Sequence, residues 1–167
     1  EVAKYGLIDD ADFTTFLEGA AEQLSSGDVG ALGEAVRVSC EAKARIVAAD
    51  ETERGVRALL NFGHTFGHAL ERANGFGDTL LHGEAVGAGM ALAMRYSVRR
   101  GVSAQADAER AERLLQALGL ETRIGALAGG PYVAGELVAH MAHDKKARQG
   151  RLTLVLARRI GEAFDMD

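Results

Sequence analysis

The sequence predicts a mainly α-helical fold with one short strand near its carboxyl end. Abundant Ala, Leu, Glu and Arg favour helix, and a single proline offers few interruptions. Apolar residues recur at three- and four-residue steps along most of the chain, as one face of a helix requires. A length of 167 residues is enough to bury one sizeable core. We therefore expect residues 1–167 to form a single helical domain.

The charge balance and the single cysteine exclude several classes of protein. Lysine and arginine number 19 against 24 acidic residues and are interspersed with them, so no basic stripe suits a nucleic acid. Cys40 alone cannot form an intrachain disulfide, and no apolar run reaches the roughly 20 residues that span a bilayer. We expect a cytoplasmic protein that binds neither nucleic acid nor membrane.

The first two predicted helices lie in the first 27 residues. Residues 1–6 are typical of a helix that ends at Gly6, and the absence of an initial Met predicts that upstream sequence is missing. Asp9 or Asp10 can cap a second helix, which the Ser25-Ser26-Gly27 segment ends. The apolar positions of this helix are Phe13, Phe16, Leu17 and Leu24.

Asp28 can cap a longer helix with a lysine on its apolar stripe. The stripe consists of Val29, Leu32, Val36, Cys40, Lys43 and Val47. A buried ammonium is costly unless it is paired or reaches an anion, although a lysine can also extend its charged end to the surface. Lys43 is therefore a candidate anion-binding residue.

A helical pattern from Glu53 to Arg72 carries a polar stripe of unusual composition. Successive helical steps back from His68 meet His64, Asn61, Arg57 and Glu53. A face that only meets water would be expected to use Glu, Lys or Gln, because Asn, His and Gly favour helix less. The flanking glycines, each about 1 kcal/mol less favourable than Ala in a helix, indicate close packing or a ligand.

The remaining elements are predicted from periodicity and from glycine stops. Residues 74–78 form a loop, Gly101 and Gly119 end two helices, and Ser103 can cap the second of them. A charged turn covers 144–150. The predicted elements of this half are helices over 83–100, from Ser103 to Leu118 and over about 133–143, and a strand over 151–157.

Three histidines fall where they could share a metal ion. His64 and His68 are four residues apart and so lie on one helical face, while His82 stands in a predicted loop before a helix of small residues. A catalytic zinc takes three N or O ligands and keeps one position open. His64, His82 and one carboxylate satisfy that number. Spacing does not distinguish three possible carboxylates, which are Glu1, Glu53 and Glu84.

Other ionisable residues form weaker candidates. Lys4 follows Glu1 by one helical turn, so both can face one cleft, although an ordinary ion pair explains this spacing equally well. The basic pair at 145–146 could close over a phosphate or simply face water. His140 and His143 are a rival histidine pair, but no neighbouring residue marks them as a site.

Several segments together resemble the 3-dehydroquinate synthases in their order and spacing. They are Glu1-Val-Ala-Lys4-Tyr-Gly, Glu41-Ala-Lys43, Glu53-Arg-Gly-Val-Arg57-Ala-Leu-Leu-Asn61-Phe-Gly-His64-Thr-Phe-Gly-His68, Leu81-His82-Gly-Glu84 and Asp144-Lys145-Lys146. The resemblance covers essentially the whole chain, and its central stretch is the most specific part.

This resemblance implies the multi-helical, metal- and substrate-binding carboxyl-terminal domain of a two-domain enzyme whose NAD-binding amino-terminal domain is absent from the chain. The implied reaction converts 3-deoxy-arabino-heptulosonate 7-phosphate to 3-dehydroquinate and phosphate, a carbon-oxygen lyase step of the shikimate pathway to aromatic amino acids. The implied cofactors are zinc (or cobalt) and NAD. The implied partner is a small sugar phosphate, and we expect a homodimer at full length and no activity from this chain alone.

The resemblance also implies a role for each candidate residue. The implied zinc ligands are Glu1, His64 and His82. The implied substrate-binding residues are Lys43 and Arg57 for a carboxylate, Asn61 and Lys145 (or Lys146) for phosphate or hydroxyls, and Lys4 over the substrate. The implied proton-transfer residues are Glu53 and His68.

Three rival functions are distinguishable by simple observations. Another sugar-phosphate cyclase would share zinc, NAD and much of this framework. A metal-dependent NAD polyol dehydrogenase would act on a neutral substrate, which offers Lys43 and Arg57 no partner. A non-catalytic helical interaction module would bind no metal.

Overall fold

Helices form most of the chain in the computed structural model, which describes residues 1–52, 55–142 and 153–166. The predicted mainly helical fold with a strand near the carboxyl end is confirmed. The α-helices are α1 (Val2–Asp9), α2 (Ala11–Gly19), α3 (Ala21–Ser26), α4 (Val29–Ala49), α5 (His64–Ala73), α6 (His82–Arg99), α7 (Gln105–Ala117) and α8 (Ala134–Ala142). Short 3-10 helices cover Val56–Asn61 and Ile124–Ala126, and the strands are β1 (Leu154–Arg159) and β2 (Glu162–Met166).

The central element of the core is α6, which packs against α5, α7 and β1. Its middle is buried and built from Ala, Gly, Val and Met, so neighbouring backbones can approach it closely. The larger buried cluster joins α6 to α1, α2, α4, α7 and the strand pair, and a smaller one lies among α5, α6 and α8. Both clusters therefore support α6, whose first residue is a candidate metal ligand.

Glycines allow α5 and α6 to pack unusually close to each other. Gly63 has φ +80° immediately before α5, a conformation that other residues rarely adopt. A Cβ atom at Gly89 of α6 would overlap the main-chain carbonyl oxygen of Gly63, and a Cβ at Gly67 would lie 3.1 Å from the backbone of Val86. Gly63 and Gly67, which weaken the predicted helix, thus serve the contact between α5 and α6.

Two predicted caps and three predicted stops are confirmed. Asp10 Oδ1 accepts a 2.8 Å hydrogen bond from the Phe13 amide at the start of α2, and Asp28 Oδ1 accepts one of the same length from Ala31 at the start of α4. The predicted stops all have positive φ, as helix-ending glycines commonly do; they are Gly27, Gly101 and Gly119.

The predicted core face of α4 is wrong. The apolar stripe faces outward, with Val29 84%, Leu32 41% and Val36 53% exposed, and Cys40 and Lys43 are exposed with it. The face that packs on the rest of the domain is lined by the smaller set Ala35, Ser39, Ala42 and Ile46. Periodicity identified a helix correctly, but contact with α1 selected the face that lets the helices approach closely.

The predicted continuous helix from Glu53 to Arg72 is also wrong in its described part. The chain forms a 3-10 helix at Val56–Asn61, turns at Phe62 and Gly63, and begins α5 at His64. The left-handed conformation of Gly63 ends any single helical path, because an α-helix needs negative φ at every residue. Arg57 and Asn61 therefore do not share one helical face with His64.

Smaller corrections concern the ends of elements. Gly6 does not end α1 but lies buried within it, where a Cβ would meet Thr14 Oγ1 at 2.5 Å. The predicted second helix is two helices, interrupted at Ala20. Ala104, not Ser103, is the N-cap of α7, and the buried Ser103 hydroxyl has no hydrogen-bond partner within the described ranges.

The strand near the carboxyl end belongs to a hairpin. The chain turns at Ile160 and Gly161, and β2 pairs antiparallel with β1, with Leu154 opposite Met166 and Leu156 opposite Phe164. The second strand was not predicted. The predicted charged turn and the first residues of the predicted strand lie outside the described residues. No helix in the described part of the chain is long and apolar enough to cross a bilayer.

Candidate metal and substrate site

Three side chains from the starts of three helices meet at one carboxylate oxygen. Glu1 is the residue before α1, His64 begins α5, and His82 begins α6. His64 Nε2 lies 3.1 Å and His82 Nε2 lies 3.4 Å from Glu1 Oε1. The candidate ligand atoms of these residues all lie within 4.8 Å of one another. The structure thus brings together the three residues predicted as zinc ligands.

The other nitrogen of each imidazole faces an oxygen acceptor. His64 Nδ1 lies 3.2 Å from the main-chain oxygen of Phe62, and His82 Nδ1 lies 3.0 Å from Glu71 Oε1. A neutral imidazole that donates its one proton through Nδ1 carries its lone pair on Nε2. In that tautomer both lone pairs point towards the Glu1 carboxylate, an arrangement that a cation between the three groups would stabilise. The donor set of two imidazoles and one carboxylate fits zinc with an open position.

Electrostatics favour the metal-binding protonation states of two of the candidate ligands, His64 and Glu1. Burial, followed by the nearby Lys4 ammonium, lowers the pKa of His64, which favours its neutral form. Burial alone would raise the pKa of Glu1, but the Lys4 ammonium and the neighbouring imidazoles of His64 and His82 lower the pKa to about 2. A neutral imidazole and an ionised carboxylate are the species that coordinate zinc.

Lys4 and His68 lie against the same cluster. Lys4 is only 4% exposed, its Nζ lies 3.9 Å from Glu1 Oε1, and it also stands 5.5 Å from the centre of the Tyr5 ring. The His68 ring lies 5.6 Å from that of His64 and 6.2 Å from that of His82. Lys4 thus lies beside Glu1, and His68 lies beside the candidate ligands His64 and His82.

A second group of possible ligands overlaps the first. It consists of His68, Glu71 and His82, whose donor atoms also lie within 4.8 Å of one another. Glu71 was not singled out from the sequence. Its position, three residues after His68 and seven after His64, follows the same face of α5, so helical spacing could have identified it.

The candidate substrate residues Lys43 and Arg57 lie towards the end of α4 and in the 3-10 helix that follows it. Lys43 is exposed near the last turn of α4, and Arg57 is half-buried in the 3-10 helix. Asp50, which follows α4, accepts hydrogen bonds from the amides of Gly55 at 2.8 Å and Arg57 at 3.0 Å. The Arg57 guanidinium donates a 2.8 Å bond to the main-chain oxygen of Glu51. Asp50 was not predicted, because its role depends on a loop conformation.

Of the other residues predicted to bind substrate or transfer protons, only Asn61 lies within the described ranges. Asn61 is half-buried as the last residue of the 3-10 helix. Glu53 and the basic pair at 145–146 lie outside the described residues. Glu84, one of the three possible carboxylates, accepts a 2.9 Å hydrogen bond from the Leu81 amide and so caps α6. Neither group of possible metal ligands includes it.

Comparison with known proteins places these residues in one family. Residues 1–147 match the family described as 3-dehydroquinate synthase C-terminal. The chain is 52% identical over 164 residues to a 3-dehydroquinate synthase of Caulobacter vibrioides, covering 98% of this chain and 44% of the relative. It is 54% identical over 165 residues to one of Rhodospirillum rubrum, covering 98% of this chain and 43% of the relative. The chain thus spans less than half the length of these relatives.

Solved structures share the fold. A 2-epi-5-epi-valiolone synthase of Streptomyces hygroscopicus, solved with NAD⁺ and Zn²⁺ bound, superposes with TM-score 0.84 at 28% identity, over 99% of this chain and 44% of that one. A 2-deoxy-scyllo-inosose synthase superposes with TM-score 0.66 at 24% identity over 78% of this chain and 35% of that one, which is a likeness of fold alone.

Proposed function

The chain belongs to the 3-dehydroquinate synthase C-terminal family, and from that premise we propose that it is the metal- and substrate-binding part of a 3-dehydroquinate synthase. The proposed reaction converts 3-deoxy-arabino-heptulosonate 7-phosphate to 3-dehydroquinate and phosphate. The observation that carries the proposal is the convergence of Glu1, His64 and His82 on one point, with both histidine Nε2 atoms facing the Glu1 carboxylate.

Zinc and NAD are the proposed cofactors. When bound, zinc supplies a Lewis acid and NAD a reversible acceptor of hydride. Glu1, His64 and His82 would hold the metal. The valiolone synthase that shares this fold at 28% identity was solved with NAD⁺ and Zn²⁺, which supports the same pair here. We propose that NAD is bound mainly by sequence outside this chain, because no glycine-rich phosphate-binding motif was found in its sequence.

The proposed roles of the other side chains follow from their chemistry. The Arg57 guanidinium can bind a carboxylate through two parallel hydrogen bonds, and Lys43 adds a point charge. Lys4, buried beside Glu1, would lie over the substrate. Asn61 and Lys145 would contact phosphate or hydroxyls. His68, in ring contact with both ligand histidines, and Glu53 would transfer protons while the site excludes bulk water.

Sequence similarity favours 3-dehydroquinate over the products of related cyclases. Identity is 52% and 54% to the two 3-dehydroquinate synthases but 28% to the valiolone synthase. The presence of two cationic candidates, Lys43 and Arg57, favours a substrate with a carboxylate over a neutral polyol. We also propose a cytoplasmic homodimer at full length.

A chimera tests the function. The amino-terminal part of the Caulobacter vibrioides relative is joined to this chain, and phosphate release and 3-dehydroquinate formation are followed with zinc and NAD present. We expect product from the heptulosonate phosphate and none from a heptulose 7-phosphate without the carboxylate. The control is the amino-terminal part alone, which should be inactive. A folded, zinc-loaded chimera that acts equally on both sugars, or on neither, would contradict the proposed substrate.

A further inference from the structure

The two nitrogens of His82 each face a carboxylate, but the two carboxylates differ in their surroundings. Nδ1 lies 3.0 Å from Glu71 Oε1, and Nε2 lies 3.4 Å from Glu1 Oε1. The Glu71 side chain is only 14% exposed, whereas those of His82 and Glu1 are 48% and 49% exposed. The contact with Glu71 is thus the shorter of the two and the better shielded from water.

This difference favours one nitrogen of His82 over the other as the metal-binding atom. A neutral imidazole has one proton, and a hydrogen bond from Nδ1–H to a shielded carboxylate places that proton on Nδ1. The lone pair then lies on Nε2, the nitrogen that faces Glu1. His64 shows the same arrangement with a main-chain acceptor, since its Nδ1 contacts the oxygen of Phe62 and its Nε2 contacts Glu1.

An alternative role for Glu71 is direct metal coordination together with His68 and His82, since these donor atoms also lie within 4.8 Å of one another. If His82 coordinated through Nδ1 in that arrangement, this nitrogen could no longer donate a hydrogen bond across its 3.0 Å contact with Glu71. The arrangement would also leave out His64, whose Nε2 is 3.1 Å from Glu1. The Glu1-centred group uses Nε2 of both histidines and keeps the Nδ1 contact of each.

We propose that Glu71 is a positioning residue for His82, which fixes the protonated nitrogen and the orientation of the ring so that Nε2 faces the metal. The inference rests on the proposed metal centre and extends it by one carboxylate. A carboxylate in this position raises the basicity of the coordinating imidazole, and its removal typically lowers metal affinity by about 10- to 100-fold. Glu71 contacts a ligand and not the metal itself.

The test measures zinc affinity and histidine protonation in the whole 167-residue chain. Zinc affinity is determined by chelator competition for the native chain, E71A, E71Q and the matched control E84Q. Glu84 is a neighbouring carboxylate that contacts the Leu81 amide, and glutamine can also accept that bond. We expect E71A to bind zinc about 10- to 100-fold more weakly. We expect E71Q, which keeps a neutral acceptor, to lose less, and E84Q to match the native chain.

Nitrogen-15 NMR of the zinc-loaded chain provides the readout that a merely structural role would not move. We expect a slowly exchanging, downfield Nδ1–H signal for His82 that is lost in E71A and weakened in E71Q. The Nδ1–H signal of His64, whose acceptor is the Phe62 carbonyl, should remain in both variants and serves as the internal reference.

The outcomes separate this inference from the metal centre itself. A native chain that binds no zinc through His64 contradicts the proposed centre and the inference with it. A native chain that binds zinc, with E71A equal to it in affinity, overturns the inference alone. A zinc-loaded native chain whose His82 carries its proton on Nε2 also overturns it, because Glu71 would then belong to the coordinating group. If E71A does not fold, the same comparisons are decided with E71Q.

Discussion

The metal-ligand cluster and the cationic region around Lys43 and Arg57 are organised in different ways. Glu1 precedes α1, while His64 and His82 begin α5 and α6, two helices that pack closely through small residues. Lys43 is exposed on α4, and Arg57 is positioned by hydrogen bonds from a short loop segment to Asp50 and Glu51. Helix packing within this chain thus accounts for the first region, whereas the second depends on local loop contacts.

The largest expected effect is a loss of activity without a loss of metal binding when the chain is compared with the chimera. Because the ligand cluster is assembled within this chain, the 167-residue chain should bind zinc. It should nevertheless release phosphate from the heptulosonate phosphate at least about a hundredfold more slowly than the chimera, because a hydride donor or acceptor must be held within near-attack distance. Phosphate release is measured for both under the same zinc and NAD concentrations. Rapid NAD-dependent release by the chain alone would show that the cofactor site has been misassigned.

The next effect tests whether packing of α5 on α6 supports the metal cluster. Gly89→Ala would place a methyl group on the Gly63 carbonyl oxygen, so we expect the free energy of unfolding to fall by about 3 kcal/mol, the upper part of the usual overpacking range. The matched control is Gly33→Ala in α4, where a Cβ meets nothing within 4 Å. There the higher helix propensity of Ala should leave stability unchanged or raise it by up to about 1 kcal/mol.

Urea unfolding of both variants, followed by circular dichroism, provides the comparison. Equal stabilities for Gly89→Ala and Gly33→Ala would mean that the close approach of α5 and α6 does not stabilise the site. Zinc affinity of each folded variant can be measured in the same samples, and we expect only Gly89→Ala to lower it.

The smallest expected effect concerns the cationic region. Arg57→Lys replaces a two-pronged donor with a point charge, so the KM of the chimera for the heptulosonate phosphate should rise about tenfold, equivalent to roughly one lost charged hydrogen bond. Zinc content should not change. The control is Arg113→Lys, an exposed position on α7. An unchanged KM and kcat for Arg57→Lys would remove Arg57 from the substrate site.

Features that depend on neighbouring residues were predictable from the sequence, whereas those that depend on tertiary contacts were not. Caps at Asp10 and Asp28 were predictable because they depend on residues three positions apart. The orientation of α4 was not predictable, because an apolar stripe marks a possible contact face but does not show which element packs against the helix. Arg57 and Asn61 would share a face with His64 in a continuous helix, but the turn at Gly63 separates them. Gly63 has a positive φ where it contacts α6, and this tertiary contact is not readable from local sequence.

The same reasoning applies to the candidate site. The family resemblance chose Glu1 among three possible carboxylates, and in the structure Glu1 Oε1 contacts both histidines. The role of Glu1 as a metal ligand stays a prediction. Glu71 was overlooked although it follows the helical face of His64 and His68, because a glutamate on a helix is ordinarily a surface residue. Its contact with His82 appears only in the structure. The hairpin partner β2 was overlooked because its residues 162–166 pair with β1 without a strong alternation of their own.

The most direct test of the account is anomalous diffraction at the zinc edge from crystals of the chain grown with zinc. We predict one peak about 2.0–2.2 Å from a Glu1 carboxylate oxygen and about 2.0–2.1 Å from Nε2 of both His64 and His82. In crystals of His64→Ala this peak should be lost or strongly reduced. A zinc ion bound instead by His68, Glu71 and Nδ1 of His82, or an unchanged peak in His64→Ala, would contradict the proposed metal centre.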